Sequence, residues 1–123
     1  AQVKIGDKMI GTGQPIYTIA DVGLTNGGNM DFSLQLIEIA KDLGVDAIKF
    51  QMIGPEYLLG DRSIEYTYPT LNDGPKTENM FEMFSDMSYT PEEWKRIARA
   101  AKDAGLEFIC TAHYMGAVDI LEE

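Results

Sequence analysis

Lys49, Gln51 and Thr111 stand where a chain of this pattern can do chemistry. Each lies in or closes a short apolar run, Val45-Asp46-Ala47-Ile48-Lys49-Phe50-Gln51 or Leu106-Glu107-Phe108-Ile109-Cys110-Thr111. A lysine ammonium draws in a small anion, and an amide or hydroxyl beside it donates the hydrogen bonds that orient one. Lys49 and Gln51 are two residues apart, so on a strand they share a face. Cys110 has no evident base nearby in sequence and reads as a small buried hydrophobe, not a nucleophile. His113 is the only histidine. One imidazole cannot make a metal centre, so no residue of the chain is assigned as a metal ligand.

The two runs follow the same helix ending, Ala40-Lys41-Asp42-Leu43-Gly44 and Ala101-Lys102-Asp103-Ala104-Gly105. A helix, a glycine stop and a short apolar strand make the repeating half of a βα unit. Parallel units of this kind gather their functional groups at the carboxyl ends of the strands. A hairpin is expected over Val3 to Ile10, turning at Gly6-Asp7. The β-branched run Ile16 to Val22 predicts the first core strand. A helix follows from about Asp31, with Leu36, Ile37, Ala40 and Leu43 on its apolar face. Ala47 to Gln51 is the second core strand.

The long connection from Met52 to Tyr89 is of a length that often covers an active site. Part of it is expected to be helical, because Met80, Met83, Phe84 and Met87 keep a helical spacing. That methionine stripe reads as core packing rather than a cofactor feature. Thr90-Pro91-Glu92-Glu93 predicts a capped helix start, with Trp94, Ile97, Ala98 and Ala101 on the buried face. Phe108 to Thr111 is the third core strand, and Ala117 to Glu123 opens a further helix.

With 123 residues, 45% hydrophobic and 24% charged, the chain reads as one soluble globular domain. A net charge of −10 without a basic stripe excludes nucleic acid as a partner. No apolar run reaches the ~20 residues of a membrane span, so no membrane is expected either. A single cysteine with no visible leader fits a cytoplasmic setting. The fold class expected is α/β: the first three βα units of a (β/α)8 TIM barrel, preceded by a short β-hairpin. A whole barrel needs ~250 residues, so residues 1–123 read as the truncated N-terminal portion of one. The competing fold is a small doubly wound sheet, disfavoured because no dinucleotide fingerprint is present.

Ile19-Ala20-Asp21-Val22-Gly23, the strand ending Asp46-Ala47-Ile48-Lys49-Phe50-Gln51, Glu82-Met83-Phe84, Thr90 to Trp94 and Phe108-Ile109-Cys110-Thr111 together resemble the sialic acid synthase family. That family includes the N-acetylneuraminate synthases and their pseudaminic and legionaminic acid relatives. The Lys-Phe-Gln strand end is its most specific element here, and the resemblance covers nearly the whole chain. It implies a transferase that condenses phosphoenolpyruvate with an N-acetylated hexose in its open aldehyde form. The product is a nine-carbon 2-keto acid, with release of phosphate. The resemblance also implies a divalent metal, Mn or Mg, whose two histidine ligands come from later strands, and a homodimer of the full-length protein. By position, Lys49 and Gln51 line the phosphoenolpyruvate and sugar sites, and Thr111 lies near the phosphate. Asp21 matches a family Glu and is the candidate acid–base or water-orienting group. Lys49 and Asp21 are the catalytic pair by this reasoning, although they could simply neutralise each other.

Three departures stand at strand ends. Thr25-Asn26-Gly27-Gly28 replaces Asn-His-x-Gly, which puts Asn26 in the position of the histidine as a substrate-binding candidate. Asp21 is one methylene shorter than Glu. Ala112-His113-Tyr114 follows Thr111 where the family has Pro and an aromatic. They point to an altered sugar, a changed catalytic group or lost activity. The alternatives are a 3-deoxy-sugar-acid synthase acting on a phosphorylated aldose, or a non-catalytic barrel that binds a sugar acid. The fragment alone is expected to be inactive.

Overall fold

A strand with apolar residues at every second position packs on one side and leaves the other free, and the central strand of this protein does so. The computed structural model describes residues 1–123. The chain opens with an antiparallel hairpin, β1 (Gln2–Ile5) and β2 (Lys8–Gly11), tight enough that Ile5 pairs with Lys8. Then come β3 (Ile19–Gly23), α1 (Met30–Asp42) and β4 (Ala47–Met52). The long connection holds α2 (Pro55–Leu58), β5 (Glu65–Pro69), β6 (Pro75–Asn79) and α3 (Met80–Asp86). Finally α4 (Pro91–Asp103), β7 (Glu107–Ala112) and α5 (Met115–Glu122) complete it.

β3, β4 and β7 form one parallel sheet in that order. Ile48, Phe50 and Met52 project from β4 into the core, where they meet Ile37 and Ala40 of α1 and Trp94, Ile97 and Ala101 of α4. The Phe50 ring meets Trp94 edge-on at 6.3 Å between centroids. Thr90 and Glu93 close a full capping box at the start of α4, as the sequence predicts. No helix is long and apolar enough to cross a membrane.

Local departures from expectation have local causes. β3 starts at Ile19, not Ile16, because Thr18 is held by Asp46: its N–H and hydroxyl both donate to that carboxylate, at 2.5 and 2.9 Å. Ile16 is left exposed. Leu43 caps α1 and is exposed, while Ser33 takes a buried place on its inner face. α5 begins at Met115, two residues before the expected start. The methionine stripe forms α3, but none of that helix is fully buried, so it is a flank of the fold and not its core. The hairpin β5–β6 is an element the sequence pattern does not announce.

Candidate functional site

The alternation that buries Ile48, Phe50 and Met52 turns Lys49 and Gln51 to the opposite face of β4. Register then fixes their neighbours. Asp21 pairs with Lys49 across β3–β4, Lys49 with Ile109, and Gln51 with Thr111 across β4–β7. Asp21, Lys49, Gln51 and Thr111 therefore collect at one sheet edge, on the face away from the helices. Asn26 does not join them. It is buried, and its amide nitrogen donates to Ser33 Oγ and to the Tyr89 hydroxyl, both at 3.0 Å. Those bonds engage both of its N–H groups in holding the turn before α1 against the segment before α4.

Lys49 Nζ lies 2.6 Å from Asp21 Oδ2, and the two side chains are 31% and 53% exposed. The mutual neutralisation anticipated for this pair is therefore formed. At such exposure the pair adds at most about 1 kcal/mol to stability. It also leaves the ammonium free to exchange its partner for an incoming anion. The strand beside it is irregular: pairing shifts between Asp21 and Gly23, so Val22 turns into the core while Gly23, at φ 57°, carries the chain away.

The next group along the edge is one that sequence reasoning leaves without a role. His113 Nε2 lies 3.2 Å from Gln51 Oε1. His113 follows Thr111 by two residues and its backbone N–H bonds to the Met52 carbonyl, so the strand pattern itself carries it to Gln51. The same-face spacing after Thr111 is the signal that could have placed it. Cys110 sits beneath Thr111, and burial pushes its thiol up to about 12. It is protonated at neutral pH and is no nucleophile.

No three His, Cys, Asp or Glu side chains come together in a way that would hold a metal ion. The two donors at the edge are already engaged, Asp21 with an ammonium and His113 with an amide. This donor set does not fit a divalent metal centre.

The amino end of the sheet is built differently. Asp46 accepts from Lys8 of the hairpin and from Thr18, and the Lys8 bond chiefly holds its carboxyl down at about 2. This clamp ties the hairpin to the sheet at the end opposite Lys49 and Gln51.

Comparison with known proteins places these features in a lineage. Residues 36–123 match the NeuB family. The chain is 33% identical over 122 residues to the uncharacterized protein MJ1065 of Methanocaldococcus jannaschii, covering 99% of this chain and 32% of that one. It is 26% identical over 116 residues to the N,N'-diacetyllegionaminic acid synthase of Legionella pneumophila, covering 94% of this chain and 32% of that one. The chain thus spans about a third of the length of these relatives. Its fold superposes on the N-acetylneuraminic acid (sialic acid) synthetase of Leptospira borgpetersenii with a TM-score of 0.82 at 20% identity. That match covers 99% of this chain and 38% of the other.

Proposed function

The chain belongs to the NeuB family, and from that premise we propose that its carboxyl-edge row forms part of the site of a sialic-acid-synthase-like transferase. In this reading residues 1–123 supply the first three βα units of a (β/α)8 barrel, and the face opposite the helices lines its interior. The reaction joins C3 of phosphoenolpyruvate to the aldehyde carbon of an N-acetylated hexose, whose oxygen takes up a proton. Water adds to the cation left at C2. The C2–O bond to phosphate then breaks, giving phosphate and a nine-carbon 2-keto acid.

The observation that carries the proposal is the Lys49–Asp21 contact of 2.6 Å at the edge of a parallel sheet, beside Gln51 and Thr111. The Lys49 ammonium, the Gln51 amide and the Thr111 hydroxyl are donors for the carboxylate and phosphate oxygens of phosphoenolpyruvate. When Lys49 turns to that anion, Asp21 loses its partner. Its carboxylate is then free to take the proton of the water that adds to C2, or to orient that water. A divalent metal would need ligands other than those of this chain, and no step above runs through it.

The test is phosphate release from phosphoenolpyruvate and an N-acetylated hexose by the full natural polypeptide. Lys49→Ala should lower turnover by a factor on the order of 100 or more. Turnover retained in that variant would overturn the placement of the site. A panel with phosphorylated and unphosphorylated sugars then fixes the acceptor.

A further inference from the structure

We propose that His113 is a positioning residue that locks the Gln51 amide so that only its donor side faces the ligand. The inference rests on reading the row as an anion site, and its geometry stands independently of the reaction. A glutamine carbonyl only accepts, so His113 Nε2 carries the proton in their 3.2 Å contact. The other half of the amide lies on the Gly23 side, next to Asp21. A side-chain carbon on Gly23 would meet Gln51 Nε2 at 3.4 Å and Asp21 Oδ1 at 3.8 Å, so both groups border one gap. An amide turned the other way would set its carbonyl oxygen towards the Asp21 carboxylate, which is repulsive, and would require the imidazole to carry its proton on Nδ1 so that Nε2 accepts. Asp21 therefore disfavours the reversed amide, and the bond from His113 holds the observed one in place.

The consequence is that three of the four side chains in the row offer donors to a ligand. Lys49 offers an ammonium, Gln51 its N–H2 and Thr111 a hydroxyl, with the one carbonyl oxygen among them occupied by His113. These three groups favour carboxylate or phosphate oxygens. The hydrogen bond the imidazole makes is to Gln51 Oε1, so its assigned action is through the amide and not on the ligand.

Two variants separate positioning from packing. Gln at 113 can place an amide N–H near the His Nε2 position, whereas Phe keeps a ring and loses the donor. In the full natural polypeptide, phosphoenolpyruvate binding should weaken about fivefold in His113→Phe, the size of one lost hydrogen bond. His113→Gln should restore it to within about twofold. Binding unchanged in His113→Phe, or weakened equally by both substitutions, overturns the proposal. The side-chain N–H2 resonances of Gln51 give a readout that needs no substrate: they should shift in His113→Phe and return in His113→Gln. If they do so while wild type ignores phosphoenolpyruvate, the lock stands and the substrate reading fails. If they do not move in His113→Phe, the lock itself is wrong.

Discussion

Asp46 shows how a single carboxylate, read in sequence only as part of a strand entry, acquires a structural role. Its carboxyl falls from the ordinary 3.8 to about 2 because Lys8 and Thr18 both donate to its charged form. A depressed carboxylate contributes stability that is complete above the unfolded value and lost as pH drops through the folded one. The hairpin should therefore hold to the sheet above about pH 4 and loosen between pH 4 and pH 2. An NMR titration of the Asp46 carboxyl should give a midpoint near 2, rising towards 3.8 in Lys8→Met. A wild-type midpoint already at the ordinary value would remove the clamp. Lys49, Gln51 and Thr111 were readable as one group because strand alternation and βα order depend only on neighbours in sequence. Asn26 was not readable in the same way. Its partner Tyr89 lies 63 residues away, and a motif comparison sees the residue that replaces histidine but not the hydroxyl it has come to bind.

At the level of elements, the turn holding Asn26 is a docking joint between the start of α1 and the end of α3. Gly28, at φ 70°, brings its backbone so close to Asp86 that a side-chain carbon would sit 2.0 Å from the Asp86 carbonyl oxygen. Gly27 has φ 58° and nothing within 4 Å of that position. The two glycines thus separate conformational cost from contact cost. Gly27→Ala should lose only the left-handed penalty, about 1–2 kcal/mol. Gly28→Ala should lose more, because backbone must move as well. Urea unfolding of both variants measures the difference, and equal losses would show that α3 does not press on the turn. The long connection that ends at this joint is only partly legible in sequence. The helical spacing of Met80, Met83, Phe84 and Met87 announces α3, and Asn79 caps it. β5 and β6 announce little, since Pro69 and Pro75 close one end and β6 reads Pro-Lys-Thr-Glu-Asn. Their pairing rests on cross-strand contacts, Thr67 with Thr77 at 2.8 Å and Tyr68 with Glu78. Such contacts exist only once the register is set.

At the scale of the whole chain, the two faces of one sheet separate the apolar core from the polar row to which the chemistry is proposed to belong. Three parallel strands in sequential order follow from the repeated Ala-Lys-Asp-x-Gly helix endings, and the structure forms that order. The helices, however, cover one face only, and Ile48, Phe50 and Met52 of β4 point to that side. A parallel sheet ordinarily has both faces covered; in this chain the opposite face bears Asp21, Lys49, Gln51 and Thr111 and is polar and partly exposed. Ile97 is fully buried between α4 and the sheet. Ile97→Ala should cost about 2–5 kcal/mol, a large part of the ~5–15 kcal/mol that holds a domain together. Lys49→Ala removes only a half-exposed ion pair and should cost at most about 1 kcal/mol. Denaturant melts of the two variants, set beside phosphate release, should therefore place Ile97→Ala low in stability and Lys49→Ala low in turnover. If Lys49→Ala unfolded the chain as readily as Ile97→Ala, the ion pair would be a strut of the sheet and the chemistry assigned to this edge would have to be sought elsewhere. The opposite pattern follows from the architecture: alternate residues of β4 serve separate ends, so the row can change its chemistry without the core having to answer for it.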